Sequence, residues 1–385
     1  MRKIAVFTAS RTEYGILRPI IRAISKSSHL KLQLIVAGMH FLEKFGNTFD
    51  LIKNDGFEIN AKIQFSKDED LPGRVGLEVG NTIIELTKTL IELNSDIVLV
   101  IGDRSDALAC AISAALLPMP LAHVHGGDVS GGGTDESVRH VITKLAHIHF
   151  AASNKSKKRI IQMGENHRNV FLVGAPGLDE FVNTKSMDSK SLERQLNIKI
   201  KKPLLVILQH PVTTSINTAS LEIKTTLKSV SEIDGTKIII YPNGDPGSNE
   251  MIYEIEKYRG VDDFYIFPNL ERLYFINLLR NASVLVGNSS GGIIETATIH
   301  LPTVNIGSRQ YSRERNANVI DVDYDPKQIK NAINICLNNR VFLKKVRKIK
   351  NLYGDGKAAS RIVKILEKIK LGQLLQKHYF DVAEN

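Results

Sequence analysis

Asp96-Ile97-Val98-Leu99-Val100-Ile101-Gly102-Asp103-Arg104 is a continuous apolar run that stops at a glycine and opens onto a carboxylate and a guanidinium. A run that is apolar at every position, rather than at alternate ones, reads as a strand buried on both faces. That is the condition of a strand inside a parallel sheet covered by helices. Ile83, Ile84, Leu86 and Leu90 before it take helical spacing, and residues 106–117 after it read as a second helix. Outward from this unit the same alternation recurs. Strands are predicted at residues 3–8, 32–37, 121–125, 147–152 and 170–174. Leu17, Ile20, Ile21 and Ile24 mark one intervening helix, and residues 135–146 mark another.

Residues 183–202 are polar and lysine-rich and read as a linker. A second alternation follows, with strands predicted at 204–209, 237–241, 264–267, 284–287 and 303–306. A helix is expected over 271–281 and another opens near Ser290. The fold class is therefore α/β, with two Rossmann-like βαβ domains facing a cleft, residues 1–180 and 200–360. Ile362, Ile365, Leu366 and Ile369 give residues 361–385 the pattern of a helix packing back across the domains.

At 385 residues the chain is too long for one core, and 43% hydrophobic with 24% charged residues is a globular composition. No targeting segment and no run of bilayer length is visible, and the two cysteines, Cys110 and Cys336, read as buried thiols of a reducing compartment. A cytoplasmic protein with no membrane partner is expected. The net charge of +10 is spread along the chain, and its densest run, residues 344–350, interleaves with apolar positions as a solvated helix face does. No basic stripe with stacking aromatics is present, so nucleic acid is not the expected partner. A phosphorylated small molecule suits the charge better.

The polar motifs fall where such sheets bind ligands, at the carboxyl ends of strands. Gly287-Asn288-Ser289-Ser290-Gly291-Gly292 follows a strand and opens a helix carrying Glu295, either an anion-binding turn for a diphosphate or an ordinary serine-capped turn. Neither the P-loop nor the dinucleotide fingerprint occurs. Arg11, after the first strand, reads equally as a phosphate contact or as the partner of Glu13 at a helix start. Asp103 is placed for acid–base work, for sugar hydroxyls, or as a helix cap. The densest cluster is His123-Val124-His125-Gly126-Gly127-Asp128, then a glycine loop at 131–133 and Asp135-Glu136. Asp103, His125, Asp128, Asp135 and Glu136 are the candidates for moving a proton at an activated carbon. His123 and His125 are expected on one face of a strand, which raises metal binding; without nearby cysteines no metal is assigned. His210, closing the first strand of the second half, reads as a base, a donor to a leaving phosphate, or a turn histidine.

Together these segments resemble the hydrolysing UDP-N-acetylglucosamine 2-epimerases of sialic- and legionaminic-acid-type pathways, along nearly the whole chain. The carrying motifs are S-R-T-E-Y-G, A-G-M-H ending at His40, G-D-R, H-G-G-D-V-S-G with D-E-S-V-R-H, K-L-A-H-I-H, H-P-V-T-T, Y-P-N and G-N-S-S-G-G. The resemblance implies the GT-B fold and a mechanism without metal or redox cofactor. A base removes the C2 proton, UDP leaves from C1, and water adds to the resulting 2-acetamidoglycal with inversion at C2. UDP-GlcNAc would give ManNAc and UDP. It implies catalytic roles for Asp103, Asp135 with Glu136, and His210, and nucleotide contacts at Arg11, Asn243, Ser289, Ser290 and Glu295. Glu13, His40, Arg104, Gly291 and Arg309 join Asp128 as expected substrate-side residues. Relatives are commonly dimers or tetramers, so a homo-oligomer is expected. Many members read H-I-E-G-G-E, with a catalytic glutamate where this chain has His125. That departure is more like the branch acting on 2,4-diacetamido-2,4,6-trideoxy sugars.

Overall fold

A computed structural model describes residues 1–41, 48–64, 73–130, 134–212, 216–243 and 245–381. The glycine loop 131–133 and the two threonines of H-P-V-T-T lie outside the described residues. The chain divides into two compact units, Met1–Asp179 with Gly356–Asn385, and Glu180–Asp355.

In the first unit the strands are β1 (Arg2–Thr8), β2 (Leu30–Ala37), β3 (Ile59–Ile63), β4 (Ile97–Ile101), β5 (Leu121–Val124), β6 (Ile148–Ala151) and β7 (Val170–Leu172). They form one sheet in the order β3-β2-β1-β4-β5-β6-β7, with every pair parallel. Successive side chains of a strand point to opposite faces, and here both faces are covered. Ile4, Val6, Leu34 and Val36 join one core with the helix Arg11–Ser25 and the terminal helix Ala358–Lys368. Ala5, Phe7, Ile35 and Ala37 join the other, under the helices Arg74–Leu93 and Ser105–Leu116.

The second unit repeats the plan with β8 (Leu204–Leu208), β9 (Thr236–Ile240), β10 (Phe264–Phe267), β11 (Val284–Gly287), β12 (Thr303–Ile306) and β13 (Val319–Val322). Its order is β10-β9-β8-β11-β12-β13, again all parallel. Leu205 and Ile207 face one core, and Leu204, Val206 and Leu208 face the other.

Several expectations are corrected. The supposed linker holds a helix, Ser189–Leu196, whose amino end Asp188 caps by accepting the Ser191 N–H at 2.7 Å. The terminal segment from Gly356 belongs to the first unit, and its helix begins at Ala358. Asp179 anchors that helix by accepting the Ala358 and Ala359 N–H groups at 2.9 and 2.8 Å. Edge strands β3 and β13 leave no strand signal in the sequence, because their residues are largely half-exposed and carry no continuous apolar run. Cys110 and Cys336 are both buried free thiols. No helix among the described residues is long and apolar enough to cross a membrane.

Candidate functional site

Each sheet reverses its strand order once, between β1 and β4 in the first unit and between β8 and β11 in the second. The crevice beyond the carboxyl ends of such a strand pair is where open α/β sheets bind ligands. In the first unit it is rimmed by Ala9 to Arg11 and Gly102 to Arg104, in the second by Gln209, His210, Asn288 and Ser289.

At the first switch point Ser10 and Glu13 form a reciprocal cap on the helix Arg11–Ser25. Glu13 Oε2 accepts the Ala9 and Ser10 N–H groups at 2.9 and 3.0 Å. Burial raises its carboxyl to about 7, against the lowering charge of Arg104. Glu13 is thus a cap, not the partner of Arg11. Arg11 is half-buried, has no ion pair among the described residues, and burial lowers its pKa. His40 is fully buried, with Nε2 at 3.0 Å from Thr8 Oγ1 and Nδ1 at 2.7 Å from Thr48 Oγ1. Both its nitrogens are occupied, and burial lowers it to about 4.

Asp103 does not cap the next helix; Arg104 takes the cap position without a side-chain bond. Asp103 pairs instead with Arg139, which no local pattern in the sequence singles out. Arg139 is only 2% exposed and reaches Glu136 at 2.7 Å, the Asp128 carbonyl at 3.2 Å and Ser130 Oγ at 3.3 Å. A buried guanidinium can remain only where carboxylates and carbonyls take its donors. Glu136 also accepts the Ser130 N–H at 2.8 Å and Oγ–H at 3.0 Å, and its other oxygen lies 3.2 Å from His140 Nε2. Burial alone would raise Glu136, but these donors hold it below its ordinary value. Asp135 is exposed on the first turn of the helix Thr134–Leu145, and its charge acts on Arg104. Arg104 itself lies beside Asp106 and donates to Met39 Sδ at 3.2 Å.

His123 and His125 do not share a strand face, because β5 ends at Val124 and His125 turns left-handed with φ 64°. His123 is fully buried and lowered to about 3 by burial, and its Nε2 donates to the Gly102 carbonyl at 2.8 Å. It is a brace for the switch-point loop. No cluster of metal-ligating side chains occurs among the described residues. His125 Nδ1 lies 2.8 Å from Asp128 Oδ2, and Asp128 Oδ1 accepts the Ser156 hydroxyl at 2.6 Å. Gly127 permits this turn, since a Cβ there would stand 2.4 Å from the Ser156 carbonyl oxygen.

At the second switch point Asn288 clasps His210. The His210 N–H donates to Asn288 Oδ1 at 2.7 Å, and Asn288 Nδ2 donates to the His210 carbonyl at 2.9 Å. His210 Nδ1 accepts the Asn243 N–H at 3.0 Å. Burial, then the charge of Arg309, lowers His210 to about 3, so the ring is neutral with its proton on Nε2. Arg309 donates to the Asn288 carbonyl at 3.3 Å. Ser289 caps a helix of only five residues, Ser290–Ile294, by accepting the Gly291 N–H at 3.3 Å. So short a helix carries little dipole. Glu295 sits at the end of this helix, not its first turn. Its Oε1 accepts from Arg272 at 2.9 Å; Arg272 also reaches Glu180 at 3.0 Å and stacks at 4.9 Å over the Phe181 ring. Arg272, like Arg139, carried no local signal beyond being an arginine near an acid.

Residues 22–367 match the family model described as UDP-N-acetylglucosamine 2-epimerase. The chain is 36% identical over 378 residues to the UDP-N,N'-diacetylbacillosamine 2-epimerase (hydrolyzing) of Legionella pneumophila, covering 98% of this chain and 99% of that one. It is 33% identical over 334 residues to the UDP-N-acetylglucosamine 2-epimerase of Neisseria meningitidis, 86% and 87% of the two chains. Among solved structures it resembles the S. aureus MnaA–UDP co-structure, with a TM-score of 0.80 at 17% identity over 95% and 96% of the chains. The Methanocaldococcus jannaschii UDP-GlcNAc 2-epimerase in complex with UDP-GlcNAc and UDP gives 0.78 at 23% identity, over 94% and 99%.

Proposed function

Since the chain belongs to the UDP-N-acetylglucosamine 2-epimerase family, we propose that it hydrolyses a UDP-linked 2-acetamido sugar with inversion at C2. UDP-GlcNAc would give ManNAc and UDP. What supports this reading is that polar motifs follow the strands at both switch points, with carboxylates and histidines in one unit and a serine- and glycine-rich turn in the other. Elimination across C1 and C2 needs a base at C2 and a site that accepts charge on the departing diphosphate. The neutral His210 offers Nε2–H to that diphosphate, a donor rather than a base. Ser289, Ser290 and Gly291 offer backbone and hydroxyl donors, with Arg11, Asn243 and Arg309 as further nucleotide contacts. Glu295, held by Arg272, suits ribose hydroxyls. The C2 base comes from Asp103, Asp135, Glu136 and His125, and the second proton transfer, to the opposite face of the glycal, needs another of them.

A second reading keeps the reaction and changes the sugar to a 2,4-diacetamido-2,4,6-trideoxy hexose. It is favoured by His125, where the glutamate-bearing members differ, and by the 36% identity to the Legionella enzyme. Proton NMR in deuterated water, on metal-stripped protein with each UDP sugar, tests both. Free UDP and a 2-epimeric sugar deuterated at C2 are expected, and the faster substrate names the branch. An intact nucleotide sugar epimerised at C2 would overturn the hydrolytic reading.

A further inference from the structure

We propose that His125, oriented by Asp128 and Ser156, is the base that takes the C2 proton; the assignment rests on the epimerase reading above. His125 is a non-glycine residue at φ 64°, a strained conformation that persists where surrounding contacts over-determine it. Those contacts are present. Its N–H donates to the Phe150 carbonyl at 3.2 Å, and the Gly126-Gly127 turn brings Asp128 back against its ring. An ionised carboxylate only accepts, so Asp128 holds the imidazole proton on Nδ1 and leaves the lone pair on Nε2. Among the described residues Nε2 has no hydrogen-bond partner. The Ser156 hydroxyl fixes the other oxygen of Asp128, so the carboxylate cannot rotate away. This is the base-plus-orienter arrangement of a general-base histidine, with the negative charge placed to stabilise the imidazolium that forms.

The other candidates are less suited. Asp103 is bound to the buried Arg139, Glu136 is saturated with donors, and Asp135 lies exposed in the field of Arg104. Glu136 is held below its ordinary value by those donors, which makes it a weaker base. In the step, Nε2 takes the C2 proton and the C–H electron pair becomes the C1–C2 π bond. The C1–O bond breaks with its pair going to the diphosphate oxygen. The imidazolium then releases its proton to solvent. Water later adds hydroxide to C1, and its remaining proton reaches C2 through a second acid on the opposite face.

The test is His125→Gly, since glycine accepts this backbone conformation without strain. UDP release and C2 deuteration are followed with and without added imidazole, beside Asp128→Asn. A fall of about 10²–10⁴-fold in turnover with unchanged UDP affinity is expected, with partial rescue by imidazole. Asp128→Asn should lower kcat and leave KM near its wild-type value. Turnover within about threefold of wild type in His125→Gly, well short of a general base's contribution, overturns the assignment. So does a loss that imidazole leaves untouched while Asp128→Asn stays fully active. If the wild type releases UDP from neither sugar, the epimerase reading itself fails and takes the assignment with it.

Discussion

The backbone N–H of Asn243 donates to Nδ1 of His210 at 3.0 Å, and this one contact aims the imidazole's only proton through Nε2. A neutral donor needs no proton to be lost or gained at working pH, because burial holds the ring near 3. His210→Ala should therefore lower UDP release by about 10²–10³-fold, the loss typical of one preorganised donor. His210→Gln, which retains an N–H, should lose less. The rate profile should show no limb belonging to His210 above pH 5. Steady-state kinetics on both variants checks this; equal losses would remove the donor role.

Arg139 stands between Asp103 and Glu136. Arg139→Met strands both carboxylates beside the buried volume it occupied and should destabilise the protein by about 3–5 kcal/mol. Arg139→Lys keeps the charge but not the fork, and should recover part of that stability and little of the activity. Urea unfolding with parallel turnover assays separates the two effects. A loss below about 1 kcal/mol in the methionine variant would mean that other donors take the carboxylates.

A Cβ at Gly291 would stand 2.9 Å from Glu295 Oε2, whose sister oxygen is held by Arg272. Gly291→Ala should displace the Glu295 carboxylate while changing stability by less than about 1 kcal/mol. If Glu295 binds the ribose, affinity for UDP measured by calorimetry falls about tenfold, the loss expected of one hydrogen bond to a charged group. Unaltered affinity would take Glu295 out of the nucleotide site.

Burial lowers His40 to about 4 and His123 to about 3. The unfolded chain therefore binds protons first, so the stability these rings contribute is present above about pH 6.5 and lost as pH falls towards their folded values. The slope is about 1.4 kcal/mol per pH unit for each ring. Glu13, raised by burial to about 7, acts in the opposite sense as pH rises through 4.5 to 7. The comparison is thus wild type against His40→Gln, whose unfolding free energy should fall less steeply with acid, by one proton. Parallel urea-unfolding series at several pH values would reveal identical slopes if His40 were protonated in the native state.

The parallel strands were legible because burial on both faces writes them as plain apolar runs. Residues 264–267, 284–287 and 303–306 coincide with β10, β11 and β12. Half-exposed edge strands such as Ile59–Ile63 leave no such trace. The switch-point motifs were legible because polar and glycine residues break off each buried apolar run at its carboxyl end. Their internal wiring was not. That Asp103 meets Arg139, or Glu295 meets Arg272, depends on segments 36 and 23 residues apart being folded together. His125 departs from its expected strand face for a local reason. Its left-handed turn ends the strand one residue early, so the period-two alternation that would set it on the face of His123 does not reach it.

Ile362, Val363 and Leu366 belong to the same core as Ile4, Leu17 and Leu34, although the second unit is one uninterrupted segment between them. Synthesis proceeds from the amino end, so a ribosome finishes the middle unit while the first still lacks a wall of its interior. That later-made helix then closes the earlier-made sheet. A nascent chain stopped before Ala358 would hold a compact insert within an open host, and that host would need shielding from aggregation until this helix emerged.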